Sequence, residues 1–227
     1  MERTDWLKEG MPLTQDTDLF CYGTDTVALA NFASVHSGER IVDLCAGNGA
    51  LTLLMAAKSP TVQVTGVELL ERSHALAEKN IAQNHMQDRV TCLQGDIREI
   101  RSLLPHAGAD VVVCNPPYMP VGSGRLNPTD EKAISRHELC ATITHVTQAA
   151  GYLLRYGGRL YLVHRCDRLC DVLCAMREAG IEPKQLRFLH PTPGKAPNLF
   201  LVSGTVGGKP SMVIQDPLYL NSLQKEE

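Results

Sequence analysis

Asn115, Pro116, Pro117 and Tyr118 stand in a row at the end of an apolar run, 110–114, of β-strand composition. Two consecutive prolines fix the backbone and carry no N–H, so the Pro116 carbonyl is left to accept a hydrogen bond from outside the strand. The Asn115 side chain offers a second carbonyl acceptor, and Tyr118 a flat ring beside it. Two acceptors and a stacking face suit a planar, conjugated NH2 group. The lone pair of such a nitrogen is delocalised and weakly nucleophilic. Donating both N–H groups to fixed acceptors draws the nitrogen toward a tetrahedral geometry and localises the pair. In-line positioning against a strong electrophile supplies much of the rest, and no general base is needed before transfer.

A second constellation lies upstream. The run 40–45 leads into Asp43-Leu44-Cys45-Ala46-Gly47-Asn48-Gly49. Gly47 and Gly49 permit a tight turn and let a ligand approach the backbone where a helix begins. This is not a dinucleotide fingerprint, because the third glycine of G-x-G-x-x-G falls on Thr52. Glu68, about 20 residues on and followed by Leu69, ends the second strand-like run where an acceptor for ribose hydroxyls belongs. Asp96, followed by Ile97, comes after the third run and can accept from an aromatic amine. Three successive strand ends carrying such groups mark the carboxyl edge of an open α/β sheet, where ligands bind.

The elements that must position these groups follow from periodicity. Strands are expected at 40–45, 62–67, 89–93, 110–114, 159–164, 185–189 and 198–203. Amphipathic helices are expected at 50–58, 71–85, 97–104, 136–156 and 166–180, and a further helix at 24–35 with Thr24 as N-cap. Strand alternating with helix gives a mostly parallel sheet covered on both faces. The segment 190–197, rich in Pro and Gly, is too short for a helical crossover, so the last two strands should form an antiparallel hairpin. The loop 119–135 is long enough to imply a role as a lid or in substrate contact.

A chain of 227 residues fits one α/β domain. Its net charge of −3 argues against general attraction to nucleic acid. The distribution is uneven: residues 1–124 carry 9 Lys/Arg against 15 Asp/Glu, and residues 125–195 carry 11 against 7. That basic middle is the natural place for a polyanion. Arg136, His137, Arg187, His190 and Lys195 are its candidates for phosphate or base contacts. The start of the chain has no apolar leader, and no membrane-length apolar run is present. The eight cysteines, several inside apolar runs, read as reduced thiols of a cytoplasmic protein. Cys166, Cys170 and Cys174 share a stripe with Leu169 and Leu173 and read as a core or groove face, with no metal expected. A nucleotide-dependent oxidoreductase and a non-catalytic RNA-binding module are the competing classes. The missing glycine speaks against the first, and intact Asn115 and Tyr118 speak against the second.

The series Asp43–Gly49, Glu68 and Asp96 resembles the successive motifs of class I methyltransferases, and Asn115–Tyr118 resembles the motif of those that methylate exocyclic amines of bases or glutamine amides. The resemblance implies a Rossmann-like sheet of seven strands, the last antiparallel, with helices on both faces. It also implies S-adenosylmethionine as cofactor. Asp43 and the turn Cys45, Ala46, Gly47, Asn48 and Gly49 would hold the methionine end, Glu68 and Leu69 the ribose, and Asp96 and Ile97 the adenine, with Asn115 beside the methyl group. From Phe20 to about Tyr219 the chain is similar to the bacterial family that methylates adenine N6 next to the anticodon of valine tRNA. The features shared include Phe20-Cys21-Tyr22-Gly23-Thr24-Asp25-Thr26, Ser135-Arg136-His137-Glu138, Arg187-Phe188-Leu189-His190-Pro191 and Pro217-Leu218-Tyr219. That family often has Gly-Thr where this chain has Cys45-Ala46. The resemblance implies an N-terminal segment, 1–23, closing over the cofactor with help from Tyr22, Gly23, Thr24 and Asp25. A methyltransferase domain, 24–206, and a tail, 207–227, would follow. It implies RNA, foremost tRNA, as partner, with no obligate protein partner. Guanine N2 of RNA and a protein glutamine amide remain alternative acceptors. The short stretch before the first strand disfavours glutamine enzymes, which carry a sizeable N-terminal helical domain.

Overall fold

A computed structural model describes residues 1–7, 10–19, 21–116 and 141–223. The chain opens with an antiparallel pair, β1 (Glu2–Trp6) and β2 (Pro12–Asp16), and then α1 (Thr24–Phe32). The alternating part follows: β3 (Arg40–Leu44), α2 (Ala50–Ala57), β4 (Gln63–Glu68), α3 (Glu71–Gln83), β5 (Val90–Gln94), α4 (Ile100–Leu103) and β6 (Ala109–Cys114). Beyond residue 140 come α5 (Ile143–Leu153), β7 (Leu154–Arg165), α6 (Leu169–Glu178), β8 (Ile181–His190) and β9 (Leu199–Val206). Two short strands, β10 (Val213–Ile214) and β11 (Leu218–Tyr219), and α7 (Leu220–Leu223) close the described chain.

The seven expected strands lie in the order β8-β9-β7-β6-β3-β4-β5. β9 runs antiparallel to both β7 and β8, and the other neighbours are parallel. The hairpin expected from the short 190–197 connection is therefore present. Alternation along each strand feeds two cores. On one face Ile41, Val64, Val111 and Val163 meet Leu29 of α1, Leu53 and Met55 of α2 and Ala77 of α3. On the other, Val42, Leu44, Val112 and Leu162 meet Val146 and Leu153 of α5 and Val172 and Met176 of α6. Strands buried on both faces read as continuous apolar runs, which is why they were legible in the sequence.

Several expectations are corrected. Gly23, not Thr24, is the N-cap of α1, and it makes no side-chain cap bond. The helix expected over 136–156 runs from Ile143 to Leu153, capped by the Thr142 hydroxyl and the His145 ring, and Leu154–Tyr156 already belong to β7. Residues 136–140 lie outside the described residues, as does the loop 119–135. The helix expected over 166–180 begins as a 3-10 turn, and its buried stripe is Val172, Ala175 and Met176. Cys170 and Cys174 are exposed and Cys166 is half-buried, so those three cysteines do not form a common core face. The residues expected as a tail add β10 and β11 in parallel to β8, extending the seven strands to nine.

Candidate active site

The carboxyl ends of β3, β4, β5, β6 and β7 open onto one cleft of about 730 Å³. That is within the usual size for a small-molecule site, roughly 300–1,000 Å³. The glycine turn after β3 forms its floor. Cys45, Gly47 and Gly49 all have positive φ, at 63°, 57° and 83°. A Cβ added at Gly47 meets no protein atom within 4 Å, so the constraint there is the left-handed backbone and whatever fills the cleft. At Gly49 an added Cβ would lie 3.2 Å from the Ala77 Cβ and 3.3 Å from its Cα, so that glycine lets α2 and α3 pack closely.

Glu68 is the brace of this turn. Its Oε2 accepts from the Gly47 N–H at 2.8 Å and its Oε1 from the Leu70 N–H at 2.8 Å. The carboxylate is 7% exposed, and burial pushes its pKa up while the backbone N–H groups oppose the rise. A carboxylate has about four acceptor sites, so two such bonds leave capacity for two hydroxyls. Asp43 lies beneath the turn, fully buried. Thr52 Oγ1 donates to its Oδ2 at 2.6 Å, and its Oδ1 has no hydrogen-bond partner among the described residues. Desolvation, with a smaller contribution from the Glu68 charge, raises its pKa to about 7. Asp96 caps the 3-10 turn Ile97–Glu99 through Oδ1, which accepts from Arg98 N at 2.8 Å. The Arg98 guanidinium also donates to it and holds its pKa down.

Asn115 follows β6 directly. The register pairs Leu44 with Cys114, which sets Asn115 beside the glycine turn. Its Nδ2 donates to Asp25 Oδ2 at 3.3 Å and to Thr26 Oγ1 at 3.0 Å, both in the first turn of α1. A carboxylate oxygen accepts, so the hydrogen-bond network assigns the NH2 to the side facing Asp25. The amide oxygen is thereby turned away from α1.

Of the residues expected at the cofactor, Tyr22, Cys45, Ala46, Gly47, Asn48, Glu68, Leu69, Asp96, Ile97 and Asn115 line the cleft, and Pro116 joins them. Asp43, Gly49 and Asp25 sit behind it in the roles just described. Gly23 caps α1 and Thr24 begins it. Phe20, Pro117, Tyr118, Arg136 and His137 lie outside the described residues. Arg187, His190 and Lys195 are not on the cleft wall. Arg187 Nε donates to the Asp216 carbonyl at 2.9 Å, and the His190 ring bonds the Lys195 carbonyl through Nδ1 at 2.7 Å. Lys195 is exposed.

The structure adds residues that the sequence did not single out. Gln15 of β2, 1% exposed, accepts from the Tyr22 N–H at 3.0 Å and from Asn48 Nδ2 at 3.3 Å, so the N-terminal hairpin bonds two residues that line the cleft. Asn80 of α3 donates to the Thr14 and Asn48 carbonyls at 2.9 and 2.8 Å. Arg165, Cys166 and Asp167 at the end of β7, with Asn198 from the β8–β9 connection and Leu199 at the start of β9, form the far wall. Arg165 sits at a parallel strand's carboxyl end, so the strand-edge rule would have found it. Gln15 carries no local signal, because its burial exists only in the folded chain.

The sheet order and the cleft at its carboxyl edge define an α/β methyltransferase fold. A predicted O-methyltransferase, protein Atu636 from Agrobacterium tumefaciens, shares it at a TM-score of 0.70 and 22% identity, over 86% of each chain. The geranyl diphosphate C-methyltransferase of Streptomyces coelicolor A3(2) shares it at a TM-score of 0.61 and 13% identity, over 79% of this chain and 80% of that one. These likenesses are of fold. The family model described as Methyltransferase small domain matches residues 16–174, and the chain belongs to that family. Over 210 residues, 92% of this chain and 85% of the other, it is 31% identical to a tRNA1(Val) (adenine(37)-N6)-methyltransferase of Tolumonas auensis. An 81-residue stretch, 36% of this chain and 26% of the other, is 42% identical to a ribosomal protein uL3 glutamine methyltransferase of Bordetella pertussis.

Proposed function

We propose that this chain transfers a methyl group from S-adenosylmethionine to N6 of an adenine in tRNA. The observation that carries the reading is the Asn115 amide, which lines the cleft while its NH2 donates to Asp25 and Thr26; in this reading its oxygen accepts from the target amine. The near full-length similarity to a tRNA adenine-N6 enzyme supports the choice of acceptor. The similarity to a glutamine methyltransferase covers only a quarter of that protein, and both amines need the same pair of acceptors.

The cofactor supplies a methyl group on a sulfonium, already electrophilic. The residues of this chain bind and orient. Glu68 accepts from the ribose hydroxyls while it braces the turn, Asp96 and Ile97 receive the adenine, and the Cys45–Gly49 turn over Asp43 takes the methionine end. The hairpin β1–β2, through Gln15 and Tyr22, closes the mouth. The target amine donates one N–H to Asn115 Oδ1 and the other to the Pro116 carbonyl, with Tyr118 stacked on the base. A base held in an RNA stem or stacked loop must be drawn out to reach such a cleft. Arg136, His137, Arg187, His190 and Lys195, joined by Arg165 on the wall, contact the RNA backbone around it. A tRNA substrate puts this work in the cytoplasm. No helix among the described residues is long and apolar enough to cross a membrane.

The test is methyl transfer by the purified chain alone to unmodified tRNA, followed by nucleoside mass spectrometry. N6-methyladenosine is the expected product, and no helper protein should be required. N2-methylguanosine would keep the chemistry and move the acceptor. Labelling of a protein amide but no RNA would overturn the tRNA reading.

A further inference from the structure

Cys45 occupies an unusual conformation. A non-glycine residue with φ of 63° is strained unless the surroundings hold it there. In a continuing strand, Cys45 would point to the face opposite Leu44. Instead it packs against the cluster that contains both Leu44 and Cys114. The left-handed backbone places its side chain against the same buried cluster that holds Cys114. Cys114 is the registered neighbour of Leu44 on the adjacent parallel strand. A residue one step along a neighbouring strand lies roughly 5–6 Å away between Cα atoms, which is inside the range a disulfide spans.

The two thiols differ in access. Cys45 lines the cleft and is half-buried, whereas Cys114 is fully buried directly before Asn115. Burial, with the Cys45 thiol beside it, holds the Cys114 pKa well above the ordinary thiol value. Cys45 is therefore the sulfur that a small oxidant entering the cleft meets first, and Cys114 the one in reserve behind it.

We propose that Cys45 and Cys114 form a peroxide-sensitive pair whose disulfide reversibly shuts the site. The Cys45 sulfur attacks one oxygen of hydrogen peroxide; an S–O bond forms, the O–O bond breaks and water leaves, giving a sulfenic acid. The Cys114 sulfur then attacks that sulfur, the S–S bond forms and the S–O bond breaks. The Cys114 proton leaves with the departing hydroxide as a second water. Two thiols lose two electrons in total, and one peroxide gains them. A disulfide brings the sulfurs to about 2.05 Å, well inside the non-bonded separation of two thiols. The contraction pulls the first residue of the glycine turn toward the residue that precedes Asn115. It displaces the two parts of the site that must stay in register for in-line transfer.

The consequence for activity rests on the methyltransferase reading, but the bond itself does not. Protein treated with hydrogen peroxide and digested without reductant should yield a cross-linked peptide joining positions 45 and 114, lighter by two hydrogens than the separate thiols. Binding of S-adenosylhomocysteine by calorimetry and methyl transfer should both fall, transfer by about 100-fold for a displacement near 1 Å, and return with dithiothreitol. Cys114→Ala should keep its basal transfer and yield no cross-link, and its Cys45 sulfenic acid, with no second thiol to trap it, should go on to the sulfinic acid under excess peroxide, so that dithiothreitol restores less activity than in the unaltered chain. A cross-link from Cys45 to Cys166 instead, none at all, or an intact 45–114 bond with unchanged S-adenosylhomocysteine binding would overturn the proposal. Reduced protein that binds S-adenosylhomocysteine but transfers no methyl group would count against the function. The cross-link and the binding change would still be readable.

Discussion

The two walls of the cleft are built on different plans. The wall over β3, β4 and β5 is acidic and local: each strand end supplies its functional group within a few residues, and backbone N–H groups fix those groups in place. Glu68 holds Gly47 and Leu70, and Asp96 holds Arg98. The wall over β6 to β9 is assembled from distant pieces; Arg165 is its cation, and the other cations of the segment that builds it lie off the cleft and are largely engaged inside the protein. Arg165 pairs with Asp167, Arg168 with Asp171, Arg155 with Asp110, and Arg187 binds the Asp216 carbonyl. A run of positive charge in a sequence thus overstates the charge on offer. Exposed pairs of this kind are worth only about 0–1 kcal/mol each, so a phosphate can still exchange for the internal partner.

The largest effect expected from any single change falls where the walls meet. Asn115→Ala should lose about two to three orders of magnitude in turnover, the typical worth of one positioned hydrogen bond to a reacting group. S-adenosylhomocysteine affinity, measured by calorimetry, should stay near that of the unaltered chain. Asp25→Ala should reproduce part of the loss, because it frees the amide to rotate. If Asn115→Ala turned over at full rate, the acceptor mechanism would be wrong.

On the acidic wall, Glu68→Ala removes the ribose acceptor and strips the Gly47 and Leu70 N–H groups of their partner. Cofactor binding should weaken by roughly 1–3 kcal/mol, the usual cost of leaving buried polar groups unpaired. Glu68→Gln keeps one acceptor and should fall between. Equal affinity in all three proteins would show that the carboxylate only fills space.

The legibility of the two walls follows from the same contrast. The seven long strands, the hairpin and the glycine turn could be read because each rests on a local pattern: a continuous apolar run, a short Pro- and Gly-rich link, a carboxylate two residues before a turn. The N-terminal hairpin could not, since β2 offers one large apolar residue, Leu13, and holds its place by polar bonds from Thr14 and Gln15 to α3 and the turn. The helix over Ile143–Leu153 was overextended because Leu154–Tyr156 continue the helical pattern by composition, yet pairing with β6 claims them: Ala109 is in register with Leu154. The cysteine stripe misled because the helix Leu169–Glu178 turns Val172, Ala175 and Met176 to the core, which leaves Cys170 and Cys174 exposed, and Cys166 stands in the 3-10 turn before it.

Asp43 gives a smaller and independent handle on the acidic wall. Its folded-state pKa near 7 lies above the ordinary aspartate value of 3.8. As pH rises from about 4, the unfolded chain releases this proton first, so the group lowers stability progressively up to about pH 7 and no further. Asp43→Asn resembles the protonated acid and should remove that slope. Denaturant midpoints from pH 4 to 8 measure it. A variant that keeps the same slope would place the titrating group elsewhere.

The basic segment, whose Arg187 and Lys195 lie off the cleft wall, is tested last, because its expected signal is the smallest. Arg187 uses one of its five N–H donors on the Asp216 carbonyl, which leaves the others for a phosphate, and Lys195 is exposed on the β8–β9 connection. Replacing both with Glu should raise the Michaelis constant for tRNA and leave that for S-adenosylmethionine nearly unchanged. The plot of log affinity against log salt should also flatten by about 0.7 to 0.9 of a unit for each phosphate no longer neutralised. Arg187→Glu also removes the bond to the Asp216 carbonyl just before β11, so Arg187→Gln, which keeps a donor for Asp216, separates lost charge from a loosened tail. If Arg187→Gln with Lys195→Gln flattens the slope as much as the Glu pair does, the cations act on RNA directly. A slope unchanged in both doubles would move the RNA surface to Arg165 and the segment beyond residue 116, and would leave the comparison between the walls standing on the acidic side alone.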